Sequence, residues 1–138
     1  MMIQKRTYVT INDYKRIIGL IEFAALKTKI PDLVDRILGE LKGAQLLPSE
    51  NISGDVVTMN SRVLLTDMSS GRRINMTVTY PQDADSRQRK VSLFSPIGAA
   101  LLGRRVGDVA SWKMPQVTGR FRVDKIVYQP ESAGDFHL

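Results

Sequence analysis

Residues 91–109 read V-S-L-F-S-P-I-G-A-A-L-L-G-R-R-V-G-D-V, and they decide the fold because they describe a short helix caught between two strands. Val91, Leu93 and Phe94 supply an apolar strand, Ser95 and Pro96 a helix start, and residues 97–102 an apolar run that ends at Gly103. Proline at the first helical position gives up no hydrogen bond that the helix would use, and glycine suits the left-handed residue that closes a helix. Ser95 is the expected cap for the first free N–H groups, and Val106-Gly107-Asp108 reads as the turn that restarts the sheet.

On the N-terminal side of this stretch the sequence alternates with a period of two. Residues 56–60, 62–67 and 73–80 are predicted strands, the last with Ile74, Met76, Val78 and Tyr80 on one face. Ser69-Ser70-Gly71 makes a hairpin of the second and third, and the polar run 81–90 reads as a surface loop. On the C-terminal side, residues 109–114, including Trp112, and 119–128 are predicted strands. In the latter Phe121 and Val123 share one parity while Ile126 and Tyr128 share the other, so a bulge near Asp124-Lys125 is expected to return both pairs to the core face.

Further upstream the period becomes helical. Tyr14, Ile17, Ile18, Ile21 and Ala25 fall on one face of a helix that Thr10 or Asn12 caps, and Asp13 in its first turn suits the helix dipole. Leu20, Phe23 and Leu26 widen the apolar surface and are expected to be buried, either under the sheet domain or against another chain. Pro31 breaks the pattern and opens a second helix carrying Leu33, Val34, Ile37, Leu38, Leu41 and Ala44. Two helices joined so briefly make an antiparallel hairpin of about 15 residues an arm, about 22 Å long. Gly19 lies level with Leu38 or Gly39, which marks either a close backbone approach or a tolerated weak spot. Residues 47–54 have linker composition. The expected organisation is therefore α+β, with a helical hairpin over 1–50, a short coiled coil, and an antiparallel sheet domain holding one short helix over 51–138.

Composition bounds the function. The chain has 138 residues, 43% of them hydrophobic and 25% charged, which is globular usage. It has no cysteine, which excludes thiolate metal sites and Cys-His devices, and its one histidine, His137, reads as surface rather than as the base of a Ser-His-Asp device. Asp83 and Asp85 sit among Arg87, Arg89 and Lys90 as a solvated, salt-bridged turn rather than a catalytic pair. Glycines 98, 103 and 107 match no phosphate-cradling spacing. We expect no cofactor, no metal and no enzyme. No run is long enough to span a membrane, which points to a cytoplasmic protein. The formal charge of +6 is spread along the chain, and it allows a basic nucleic-acid-binding module as an alternative reading.

Three segments carry a resemblance. S-P-I-G-A-A-L-L-G-R-R-V-G-D (95–108), D-V-V-T-M-N-S-R (55–62) and Y-Q-P-E-S-A-G-D (128–135) are similar to the C-terminal domain of Gre-type transcription factors, and most similar to the short Rnk branch, whose members are called regulators of nucleoside diphosphate kinase. The resemblance implies a coiled-coil finger followed by an FKBP-like domain that docks on RNA polymerase at the rim of its secondary channel. It implies that Ser95, Pro96, Ile97 and Gly98 meet the polymerase. The basic pairs Arg72-Arg73, Arg104-Arg105 and Arg120 with Arg122 read either as solvated faces or as complements to acidic polymerase surface. Leu101 and Leu102 are expected to plug the open side of the sheet.

Long Gre factors use acidic finger tips to hold a catalytic Mg²⁺ in the polymerase. Here the tip carries Lys27, Thr28 and Lys29, with no acid from 25 to 31 and Asp32 next. The expectation is a polymerase-binding regulator that competes with cleavage factors, has no cleavage activity of its own and reads no nucleic-acid sequence. Gre-like cleavage through Asp32 and Asp35 is the remaining alternative. Proline isomerase activity does not follow from a shared fold.

Overall fold

Thr10 ends a short strand, β1 (Tyr8–Thr10), and its hydroxyl accepts the Asp13 N–H at 3.0 Å to cap α1 (Ile11–Phe23). The structure, a computed structural model, describes residues 7–24, 26–113, 118–136 and 138. The expectations placed on Ala25, Met114 and His137 fall outside these residues. After α1 comes a single helical turn, α2 (Leu26–Lys29), and then α3 (Pro31–Lys42), with the proline at its first position. Gly43 and Ala44 lead into β2 (Gln45–Leu47), which pairs in parallel with β1, Tyr8 opposite Gln45 and Thr10 opposite Leu47. This ladder at the open ends of the two helices is absent from the sequence reading, because three residues are too few for an alternating pattern to register.

The second sheet has five strands: β3 (Arg62–Asp67), β4 (Arg73–Thr79), β5 (Lys90–Ser92), β6 (Val109–Lys113) and β7 (Thr118–Tyr128), in the order β5-β4-β3-β7-β6. β3 is antiparallel to both β4 and β7, and β6 to β7, with Gly71 at φ 75° in the expected β3–β4 turn. The wholly antiparallel expectation fails at β5, which runs parallel to β4. Two single-turn 3-10 segments, Pro81–Asp83 and Ser86–Gln88, carry the chain back alongside β4 before β5 begins, so β5 has to run in the same direction.

Two further expectations are corrected. Residues 56–60 form no strand, only a bridge between Val56 and Arg105. The Ser61 hydroxyl accepts the Thr58 N–H at 2.9 Å and Asn60 takes φ 67°, which turns the chain. Val56, Val57 and Met59 are apolar because the core takes them. In β7 the register slips at Asp124, as expected near that point, and again at Val127. The second slip moves Tyr128 to the outer face, opposite Arg62, rather than into the core.

The buried cluster is continuous. Ile17 and Ile21 of α1 and Ile37 and Leu41 of α3 belong to it together with Val63 of β3, Val123 of β7 and Leu101 of α4 (Pro96–Leu101). The helices thus share the sheet's inner face with α4. Gly19 and Gly39 each have nothing within 4 Å of an added Cβ, so they mark tolerated weak spots and not a close approach. The chain closes on a short helix, α5 (Pro130–Ala133). Gln129 before it donates to the carbonyls of Ser53 at 2.7 Å and Val56 at 2.8 Å, and Glu131 accepts from Thr58 at 2.6 Å. The segments at 55–62 and 128–135 are thereby braced on each other. The class is mixed α+β.

Candidate functional site

The corner between β5 and α4 is held by three linked hydrogen bonds. The Ser92 hydroxyl accepts the Phe94 N–H at 3.0 Å, the Ser95 hydroxyl donates to the Ser92 carbonyl at 2.6 Å, and the same hydroxyl accepts the Gly98 N–H at 3.2 Å as the helix cap. These bonds leave Ser95, Pro96 and Ile97 half-exposed on a backbone that has little freedom left to lose on binding. Gly98 lies differently from the reading that made it a contact residue. It is buried, and a Cβ there would sit 2.0 Å from the Ser92 carbonyl oxygen, so glycine is required for α4 to lie on β5. Leu101 and Leu102 are buried, as expected of a plug.

Arg104 and Arg105 are likewise engaged inside the molecule. The Arg104 guanidinium donates to the Ala100 carbonyl at 3.1 Å and to Glu40 of α3 at 2.9 Å, while the other Glu40 oxygen accepts from Thr7 at 3.0 Å. Arg104 therefore ties α3 to α4. Arg105 pairs with Asp55 at 3.2 Å and lies 5.4 Å from the centre of the Tyr8 ring. A charge read from sequence as available for a partner already has one; the pairing acids are 64 and 50 positions away, so no local pattern announces them.

The far end of the helices is exposed. Lys27, Thr28, Lys29, Pro31 and Asp32 are exposed there, and Phe23 is 96% exposed. Of the two covers expected for Phe23, the sheet domain is not the one: the residue lies two positions past Ile21, about 200° round the helix and away from the buried stripe. That angle was available from the sequence and points outward. Glu22 and Asp32, both exposed, flank this end, and between them the described residues carry Lys27 and Lys29 with no carboxylate. The end therefore combines an uncovered aromatic ring with two cations.

Where α1 meets the sheet module, Asp13 is 2% exposed and its carboxylate accepts the Met59 N–H at 3.1 Å and the Tyr80 hydroxyl at 3.3 Å. Burial pushes its carboxyl up to about 6, against the lowering effect of the Met59 bond, and the Glu131 charge adds to the rise. The Tyr80 phenol is pushed far up, first by burial and then by the Asp13 charge. Arg16 covers the Tyr80 ring at 5.0 Å. The sequence marked Asp13 as a dipole partner only. Its reach across to Met59 spans 46 positions and has no local signature.

Among the described residues no group of three or more histidine, aspartate or glutamate side chains is placed to hold a metal, and no helix is long and apolar enough to cross a membrane. The arrangement presents a rigid half-exposed corner on the sheet side and an aromatic, cationic end on the helices.

Residues 52–128 match the family described as transcription elongation factor, GreA/GreB, C-term. The chain is 41% identical over 107 residues to the regulator of nucleoside diphosphate kinase of Escherichia coli K12, covering 77% of this chain and 79% of that protein. It is 39% identical over 99 residues to the transcription inhibitor protein Gfh1 of Thermus thermophilus, covering 70% of this chain and 62% of that protein. Among solved structures, a GreA/GreB transcription elongation factor from Nitrosomonas europaea superposes with a TM-score of 0.73 at 31% identity, covering 91% of this chain and all (100%) of that one.

Proposed function

The chain belongs to the GreA/GreB family of transcription elongation factors, and from that premise we propose that it is a regulator that binds RNA polymerase at the rim of the secondary channel and competes there with cleavage factors, without cutting transcripts itself. The sheet module, FKBP-like in this reading, grips the polymerase through the corner at Ser95, Pro96 and Ile97. The two helices form a short antiparallel finger. The names of the two relatives, a regulator and an inhibitor, support a role in restraint rather than in cleavage.

One observation carries the proposal: the exposed end of the finger presents Phe23, Lys27 and Lys29 where a cleavage factor would need carboxylates. Mg²⁺ is a hard cation held by acidic oxygens and water, and two ammonium groups repel it. The arms are also short: α1 has 13 residues and α3 has 12, about 20 Å at 1.5 Å per residue.

Core polymerase stalled in a backtracked complex tests this directly. Adding the protein should suppress cleavage stimulated by a GreA-type factor in a concentration-dependent way, and the protein alone should release no cleavage product. Ile97→Asp, which places a charge on the gripping corner, should raise the concentration needed by about tenfold or more. Cleavage by the protein alone, abolished by Asp32→Ala with Asp35→Ala, would transfer the function to the alternative that the exposure of those two acids on α3 leaves open.

A further inference from the structure

Four residues lie in register across the outer face of the five-stranded sheet: Lys90 of β5, Thr77 of β4, Arg62 of β3 and Tyr128 of β7. Adjacent strands are about 4.8 Å apart, so the Cα atoms of Arg62 and Lys90 flank Thr77 at roughly 10 Å from each other. Both side chains are long enough to meet above the Thr77 hydroxyl. A cleft of about 710 Å³ covers this row, with Thr77 and Thr79 in its lining, Asp83 and Gln88 from the 81–89 loop, and Tyr128 from β7.

The cations in this cleft differ from those the fold uses. Arg104 is paired with Glu40, Arg105 with Asp55, and Arg122 and Arg73 with Asp124. Arg62 and Lys90 have no side-chain hydrogen bond or ion pair among the described residues. Two unpaired cations that face the same concave space, with a hydroxyl between them, are complementary to a phosphate: the guanidinium fork and the ammonium point charge both favour its oxygens, and the hydroxyl adds a donor. Tyr128 supplies the flat apolar surface beside it. Its hydroxyl donates to Asp135 at 2.5 Å, which fixes the ring, and this bond first of all pushes the phenol up to about 12, so it stays protonated and adds no negative charge to the cleft.

We propose that this cleft binds a nucleotide-class ligand, its phosphate held by Arg62 and Lys90 over the Thr77 hydroxyl and its base laid against Tyr128. Base stacking on an aromatic side chain tolerates any base, so the site selects for the phosphate and the ring and not for sequence. Asp83 opposes the build-up of several negative charges, so a monophosphate fits better than a triphosphate. The ligand is a free nucleotide or the phosphorylated end of a strand.

Backbone amide shifts of the full-length chain, titrated with inorganic phosphate, AMP and a 5′-phosphorylated trinucleotide, test the assignment. AMP should shift the amides of Arg62, Thr77, Thr79 and Lys90 to saturation. Arg62→Gln with Lys90→Gln should weaken it by about tenfold or more, as loss of two charge-assisted contacts implies. Tyr128→Leu should remove the advantage of AMP over inorganic phosphate while leaving phosphate binding itself. Tighter binding of the trinucleotide than of AMP assigns the ligand to a strand end, and the reverse assigns it to a free nucleotide; either supports the site. Absence of a saturable shift confined to the cleft, or binding undiminished in the double variant whose spectrum elsewhere is native, overturns it. The titration contains no polymerase, so its outcome is separate from that of the competition assay.

Discussion

A Cβ added at Gly98 would stand 2.0 Å from the Ser92 carbonyl oxygen and 2.8 Å from its carbon, whereas one added at Gly19 would meet nothing within 4 Å. Backbone cannot move aside as a flexible side chain can, so Gly98→Ala should lower stability by about 2–4 kcal/mol, read as a fall in melting temperature. Gly19→Ala should raise it by about 0.5–1 kcal/mol through helix propensity alone. Asp13 gives a second prediction at this scale. Its carboxyl is raised from 3.8 to about 6, so the folded chain takes up this proton before the unfolded chain does. The stabilisation is complete below the unfolded value and is lost as pH rises through the folded one. Between about pH 7 and about pH 5 this group alone should add roughly 1–1.5 kcal/mol to the unfolding free energy. In Asp13→Asn that gain should vanish from urea titrations at the two pH values. Asp67 and Asp124, both held below the usual carboxylate range chiefly by hydrogen bonds, act in the opposite direction and at lower pH.

At the scale of elements, α4 was legible because its determinants are neighbours in sequence: Ser95 caps, Pro96 opens, Gly103 closes at φ 79°. Ser95→Ala should cost about 1 kcal/mol by freeing the Gly98 N–H. The two main helices were legible for the same reason, and so was the β3–β4 turn. The direction of β5 was not, because it depends on where a ten-residue loop delivers the chain and no residue of β5 encodes that. The β1–β2 ladder was too short to show. The duties of Arg104 were hidden because a side chain's charge does not name its partner. Of the candidate site, Ser95, Pro96 and Ile97 lie half-buried at the corner between β5 and α4, Gly98 was read as a contact where it is packing, and Phe23, expected under the sheet domain or against another chain, is not covered by the sheet. The Glu40–Arg104 contact, with side chains 34% and 21% exposed, should show a coupling of about 0.5–1 kcal/mol in a double-mutant cycle with Glu40→Gln and Arg104→Gln.

For the whole molecule, the buried cluster that runs from Ile17 through Leu101 to Val123 makes the two helices and the five-stranded sheet one body, so whatever holds the corner at Ser95 also fixes where the far end of the helices points. Phe23 is the place to separate fold from function, since removing an exposed ring leaves the interior intact. Phe23→Ala should leave the melting temperature within the effect of about 0.5 kcal/mol and still weaken competition with a GreA-type factor severalfold. The shared interior also limits how such a protein changes over time. The buried positions of the two arms, Asp13, Ile17 and Ile21 on one and Val34, Ile37 and Leu41 on the other, all lie outside residues 22–33. Whole turns inserted or deleted in matched pairs within that window would alter how far the two helices extend without disturbing their foundation, so the reach of this end can be changed independently of the packing beneath it.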